Sequence, residues 1–218
     1  MPHSPSRRQI WFIRHAQSCA NAGLATTHPT DITLTEKGQN QARAITQKIE
    51  SAPDLIVTSP YLRTLQTAQP TLAKFPNAEH AEWPIQEFTF LSPARCRGTT
   101  TAERLPWVKD YWARADPDYS DGDGAESFRV FVERVRDAWK AVQDPALGEF
   151  VLLFSHGQFM SALNWQLQNG WCSVDGESML EFHRFHREFP VANGGVLEVQ
   201  VRYSENEFQS PSRGRNIK

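Results

Sequence analysis

Three times in this chain a short apolar run stops abruptly at a cluster of polar side chains. Residues 10–13 (IWFI) end at Arg14-His15, residues 54–58 (DLIVT) end at Ser59-Pro60, and residues 150–154 (FVLLF) end at Ser155-His156-Gly157. A short unbroken apolar run is the pattern of a strand buried on both faces, and such strands belong to parallel sheets covered by helices.

The stretches between the runs have helical periodicity. Thr35-Glu36 opens one helix, with Ala42, Ile45 and Ile49 on one face and Pro53 beyond its end. Ser59-Pro60 is expected to supply the N-cap and first-turn proline of a second helix through Leu62 and Leu65, which sets Arg63 in its first turn. After the Gly122-Asp123-Gly124 turn, Phe128, Phe131, Val135, Ala138 and Val142 recur at three- and four-residue steps, and Arg129, Glu133 and Arg136 fall on the opposite face. Another helix is expected near Phe159 to Leu167. Val196 to Tyr203 alternates as an edge or antiparallel strand does, and the polar tail from about 204 is expected to fray.

Strands alternating with helices predict an α/β fold: three layers, with a mostly parallel sheet carrying helices on both faces. The 218 residues suffice for one domain, 1–218, with a sizeable core. Residues 75–120 break the alternation. They are rich in proline and in aromatic side chains (Trp83, Phe88, Phe90, Trp107, Tyr111, Trp112), and read as a lid-like insertion folded over the rim of the sheet.

A formal charge of −2 leaves no general pull toward nucleic acid or anionic lipid, so any anion must be bound locally. No run of about 18 apolar residues exists to cross a bilayer. The apolar stretch after the N-terminal arginines is only four residues long, too short for the core of a signal peptide. Cys19, Cys96 and Cys172 are widely spaced and form no C-x-x-C, which argues against a disulfide framework or a zinc ribbon. These features together predict a cytoplasmic protein.

In open α/β sheets ligands gather at the carboxyl ends of the strands, beside a topological switch point. That puts Arg14-His15, Ser59 to Arg63, and Ser155-His156 on one rim. Two arginines and two histidines without a metal-spaced carboxylate or thiol cluster suit a phosphoryl group, whose oxygens match the planar donor fork of arginine. Imidazole can attack phosphorus if it is unprotonated and its other nitrogen donates to a fixed acceptor. Neighbouring arginines disfavour imidazolium, and the leaving alkoxide needs a carboxylic acid over the same rim. His183 and His186 lie three residues apart on a predicted helix but lack a third metal ligand, so they read as surface histidines, and Cys19 reads as a small buried thiol.

Arg14-His15-Ala16-Gln17-Ser18-Cys19-Ala20-Asn21 resembles the R-H-G-x-x-x-x-N opening of the histidine phosphatases, the phosphoglycerate mutase-like superfamily. Leu34-Thr35-Glu36-Lys37-Gly38-Gln39 is similar to its next segment, Ser59-Pro60-x-x-Arg63-x-x-x-Thr67-Ala68 to its third, and Ser155-His156-Gly157 to its last. The resemblance implies the phosphoglycerate mutase-like fold. It also implies a phosphomonoesterase, independent of metal and needing no cofactor, that acts on a small phosphorylated metabolite through a covalent phosphohistidine.

His15 would be the nucleophile, Arg14, Arg63 and His156 would hold the phosphoryl oxygens, and Asn21 would add a polar contact to phosphate. Glu87 stands where the family places its proton donor, with Glu82 as the alternative carboxylate, and Ser18 or Thr27 would touch substrate. The chain departs from the pattern at Ala16, where the family has glycine, a change a backbone of negative φ tolerates. Glu87 also lacks the arginine-rich flanks of the mutases, which favours a phosphatase. Mutase-type phosphoryl transfer, a non-catalytic phosphate-binding module and a metal-dependent hydrolase are the rival readings, and the sequence leaves substrate and oligomeric state open.

Overall fold

The computed structural model describes residues 7–171, 173–202 and 215–217. Strand β1 (Arg7–Arg14) leads to helix α1 (Glu36–Lys48), β2 (Leu55–Thr58), α2 (Leu62–Lys74) and β3 (Glu79–Glu82). Two helices, α3 (Pro93–Cys96) and α4 (Thr101–Ala113), precede α5 (Phe128–Ala141). The chain ends through β4 (Phe150–Ser155), α6 (Gly157–Asn169), α7 (Gly176–Glu188), β5 (Val196–Arg202) and β6 (Arg215–Ile217).

The sheet order is β3-β2-β4-β1-β5-β6. The first four strands are mutually parallel, and β5 runs antiparallel to β1. The three apolar runs identified in the sequence are β1, β2 and β4, the centre of the sheet. Successive side chains of a strand leave on opposite faces. Accordingly Ile10, Phe12, Leu55, Val57, Val151 and Leu153 enter one core, while Ile13, Ile56, Leu152 and Phe154 enter the other. Helices α5, α6 and α7 cover the first face through Phe128, Phe131, Phe159 and Phe182, and α1 and α2 cover the second through Ile45 and Ala68. The expected three-layer architecture is therefore present.

The chain leaves β1 toward the α1 face and leaves the adjacent β4 toward the α6 face. The switch point thus lies between β1 and β4, whose carboxyl ends pair in register at Arg14 and Ser155. Diverging loops open a crevice there, and His15 and His156 stand one residue beyond each strand.

Three local expectations are corrected. Ser59 does not cap α2: the helix begins two residues past Pro60, with Tyr61 at its N-cap and no side-chain cap bond. Strand β5 is antiparallel to β1, as its alternation predicts, but β6 pairs with its other side from within the tail expected to fray; residues 203–214 of that tail, like residues 1–6, lie outside the described residues. Residues 75–120 are also more regular than the aromatic pattern suggests. Helix α4 opens on a capping box in which the Thr100 hydroxyl accepts from the Glu103 amide and the Glu103 carboxylate accepts from the Thr100 amide.

Candidate active site

Beyond β1 the backbone is held from both sides. The Arg14 amide donates to the Gly195 carbonyl at 2.9 Å and the His15 amide to Ser155 at 2.9 Å, so the turn carrying the imidazole is an extension of the sheet. The Ala16 amide donates to Thr67 Oγ1 at 3.0 Å, which ties the same turn to α2. Ala16 is fully buried and lies outside the positive-φ region, so the methyl group that replaces the family's glycine causes no backbone strain.

His15 is 3% exposed, Arg63 5% and His156 0%, and the three form one hydrogen-bonded array. Arg63 Nε donates to His15 Nε2 at 3.2 Å, Nη2 donates to His156 Nδ1 at 3.0 Å, and Nη1 donates to the Pro29 carbonyl at 2.7 Å. A guanidinium only donates, so both ring nitrogens facing it are acceptors and both histidines are neutral. The proton of His15 sits on Nδ1, which donates to the Ala16 carbonyl at 2.8 Å. His156 carries its proton on Nε2, which donates to Ser59 Oγ at 2.7 Å, and that hydroxyl lies 2.8 Å from Thr64 Oγ1. Ser59, expected to cap a helix, instead fixes the tautomer of His156.

Burial, and secondarily the Arg63 charge, hold both His15 and His156 well below the ordinary imidazole value. Burial also brings Arg63 down to about 10, which leaves it cationic at neutral pH. Arg14 is lowered in the same direction by burial. Its guanidinium donates through Nη1 to the Val191 carbonyl and lies against the first residue of α6. A Cβ on Gly157 would stand 3.1 Å from Arg14 Nε and 3.2 Å from Cζ, so glycine there allows the close approach. Arg14 Nε is buried without a hydrogen-bond partner.

Glu87 lies across the crevice, and its Oε1 accepts from the Gln158 amide at 2.9 Å in the first turn of α6. Glu82 is exposed at the end of β3 and does not line the cavity, and Glu103 serves the α4 cap. Asn21 Oδ1 accepts from Ser18 Oγ at 2.9 Å and from Asn193 Nδ2 at 3.0 Å, so Asn21 organises the loop after the His15 turn and has its Nδ2 left for a ligand. Ser18 and Thr27 line the same cavity.

The cavity holds about 400 Å³ and runs from Arg14, His15, Arg63 and Glu87 outward to the walls contributed by residues 88–108. This arrangement offers an unprotonated nitrogen nucleophile, cationic donors around it and a carboxyl group on the far side, the parts that phosphoryl transfer through a phosphohistidine requires.

Sequence reasoning missed Asn193, whose Nδ2 also donates to the His15 carbonyl at 3.0 Å; the Asn-Gly-Gly run at 193–195 was the available signal. His183 and His186 are partly exposed, with packing contacts that the sequence does not show. His183 is half-buried and stacks on Trp112 with ring centroids 4.3 Å apart, and the partly buried His186 bonds Ser161 Oγ at 2.9 Å. Cys19 is half-buried, with Sγ 3.4 Å from Thr33 Oγ1. Among the described residues no three His, Cys, Asp or Glu side chains cluster as a metal site would.

Comparison with known proteins places these residues in a lineage. A 2,3-bisphosphoglycerate-dependent phosphoglycerate mutase of Haemophilus ducreyi is 28% identical over 189 residues, covering 71% of this chain and 82% of that protein. An adenosylcobalamin/alpha-ribazole phosphatase of Salmonella typhi is 31% identical over 163 residues, covering 71% of this chain and 77% of that protein. Among solved structures, a mycobacterial glucosyl-3-phosphoglycerate phosphatase superposes with a TM-score of 0.66 at 21% identity, covering 96% of this chain and 97% of its own. The sequence pattern of the histidine phosphatase superfamily (branch 1) matches residues 10–209, and the chain belongs to that superfamily.

Proposed function

We propose that the protein is a phosphomonoesterase that hydrolyses a small phosphorylated metabolite through a phosphohistidine at His15, without metal or other cofactor. The observation that carries this reading is the protonation pattern of His15: proton on Nδ1, lone pair on Nε2, and Arg63 directed at that nitrogen.

In the first step His15 Nε2 bonds to phosphorus as the ester P–O bond breaks, and Glu87 gives its proton to the leaving alkoxide. Arg14, Arg63 and Asn21 bind the phosphoryl oxygens as Arg63 exchanges its bond to His15 for one to phosphate, and His156, whose ring nitrogens face Arg63 and Ser59, holds that guanidinium in place. In the second step water attacks phosphorus, its proton passes to Glu87, and the P–N bond breaks to release inorganic phosphate and free His15. The segment at 75–120 serves as the wall that selects the alcohol part of the substrate. Among the described residues no helix is long and apolar enough to cross a membrane, and the free thiols of Cys19 and Cys96 support a reducing cytoplasm.

A His15→Ala variant is expected to stay folded and to lose hydrolysis of an aryl phosphate by several orders of magnitude. Rapid acid quench of the wild type during turnover should trap an acid-labile phosphorylated protein. Full activity in the variant, or activity lost to a chelator and restored by metal, would overturn the reading. The phosphoglycerate mutase relatives support mutase-type transfer as a second reading. Incubation with 3-phosphoglycerate separates the two, because a phosphatase releases free phosphate and a mutase yields the isomerised acid.

A further inference from the structure

We propose that the alcohol part of the substrate is uncharged and largely apolar, and that the cavity discriminates against esters carrying a second anion. This rests on the reading of the protein as a phosphatase and goes beyond it by naming the substrate class. Of the residues lining the cavity, the arginines are Arg14, Arg63 and Arg104, and the first two lie against His15, where the phosphoryl group binds. Any second anionic group, a carboxylate or another phosphate, would depend on Arg104.

Arg104 is committed elsewhere. Its Nε donates to Thr99 Oγ1 at 2.7 Å, and Nη2 donates to Thr26 Oγ1 at 2.6 Å, the Thr99 carbonyl at 2.7 Å and the Cys96 carbonyl at 2.9 Å. Both bidentate modes by which a guanidinium grips a carboxylate use Nη2, either with Nε or with Nη1. With Nη2 engaged, neither mode is open. The acceptors are structural, because they join the two walls of the cavity. Thr26 belongs to the loop after His15 and pairs with Thr99 as an isolated bridge, in which the Thr26 amide donates to the Thr99 carbonyl at 3.2 Å and the Gly98 amide to the Thr26 carbonyl at 2.8 Å. Arg104 is thus a strut between α4 and the nucleophile loop.

The rest of the outer wall is uncharged. Ile32, Phe90, Leu91, Pro93 and Val108 surround the space that the alcohol part would fill. An anion there would exchange water for a largely apolar surface with neutral hydroxyls and no bidentate cationic partner, at a penalty that a neutral apolar group avoids. A cavity of about 400 Å³ is near the lower end of small-ligand sites, which suits an alcohol of about one ring beside the phosphoryl group.

The test is steady-state kinetics of the full-length protein on phenyl phosphate and on two size-matched esters, 4-carboxamidophenyl phosphate and 4-carboxyphenyl phosphate, with 3-phosphoglycerate as a fourth substrate. The carboxamide and phenyl esters should have similar kcat/KM. The carboxylate should be lower by about 10-fold or more, mainly through KM, and 3-phosphoglycerate should be poorer than the carboxamide ester. A Val108→Arg variant places an uncommitted guanidinium on the outer wall and should raise the carboxylate-to-carboxamide ratio. Equal or better turnover of the carboxylate, or a preference for 3-phosphoglycerate, would overturn the substrate class while leaving the phosphatase reading intact. No turnover of any of the four would overturn both. A folded Val108→Arg variant with an unchanged ratio would overturn the placement of the alcohol part along α4.

Discussion

Arg63 Nε donates to His15 Nε2 at 3.2 Å while Nη2 of the same guanidinium donates to His156 Nδ1 at 3.0 Å, so one planar cation fixes the orientation and protonation of both imidazoles. Lysine retains the charge but offers a single point donor on a flexible stem, which cannot serve both rings and the Pro29 carbonyl together. An Arg63→Lys variant is therefore expected to lose about 100-fold or more in kcat/KM, the scale of a preorganised transition-state donor. Steady-state kinetics on an aryl phosphate check this, and a rate within a few-fold of wild type would show that charge alone suffices.

Asn193 joins the turn before β5 to the nucleophile loop through two donors on one nitrogen, to the His15 carbonyl and to Asn21 Oδ1, both at 3.0 Å. Asn193→Ala removes both bonds without touching the imidazole. The expected result is a fall in kcat of about 10-fold with a stability loss of about 1 kcal/mol. Asn193→Asp, which supplies no donor, should not restore activity. Kinetics and urea unfolding together decide the point, since a stability loss with unchanged kcat would make Asn193 purely structural.

The elements most legible in the sequence are those whose identity follows from burial. Residues 10–13, 55–57 and 150–154 can be apolar without interruption only if covered on both faces, and they form the three central strands. His15, Arg63 and His156 could be grouped on one rim because strand ends in a parallel sheet share a side. Asn193 was not legible in this way, because it reaches the site from β5, whose position beside β1 no local pattern announces. Ser59 was legible only as a residue at a helix entry: its Oγ does accept from the Tyr61 amide, but the bond from His156 depends on β4 lying beside β2, which no local signature announces. The contacts of His183 with Trp112 and of His186 with Ser161 were not legible, because only tertiary packing makes them. Helix α4 was readable from Thr100 and Glu103, but Pro106 and the aromatic side chains around it masked the signal.

Gly38, in the first turns of α1, packs against the nucleophile loop so closely that an added Cβ would lie 2.1 Å from the Gln17 carbonyl oxygen and 3.2 Å from Leu34 Cβ. The oxygen is backbone, and it accepts from the Thr35 amide at 3.0 Å, so it cannot move without disturbing the entry to the helix. Gly38→Ala, normally favourable inside a helix, is expected to destabilise the protein by about 1–3 kcal/mol and to lower kcat/KM by displacing the turn after His15. Chemical denaturation with kinetics on the same preparation measures both, and a stabilised variant would show that α1 can retreat from the loop.

The neutral imidazoles of His15 and His156 also make stability depend on pH. Burial, and then the Arg63 charge, hold both folded-state values well below the unfolded value of about 6.5. Below that value the unfolded chain binds protons that the folded chain refuses, so unfolding becomes more favourable as pH falls. The contribution of the two rings is complete above about pH 6.5 and is lost progressively on acidification, by at most about 1.4 kcal/mol per pH unit for each proton. Because the rings share Arg63 and sit 5.1 Å apart between centroids, the two protons titrate as a pair. Urea unfolding at pH steps from 7.5 to 5.5, above the range where most carboxylates titrate, should show falling stability below about 6.5. His156→Asn should flatten that slope by up to one proton. A stability that stays level or rises across this window would mean that the folded protein accepts a proton beside Arg63, and His15 would then not be the free nucleophile the reaction needs.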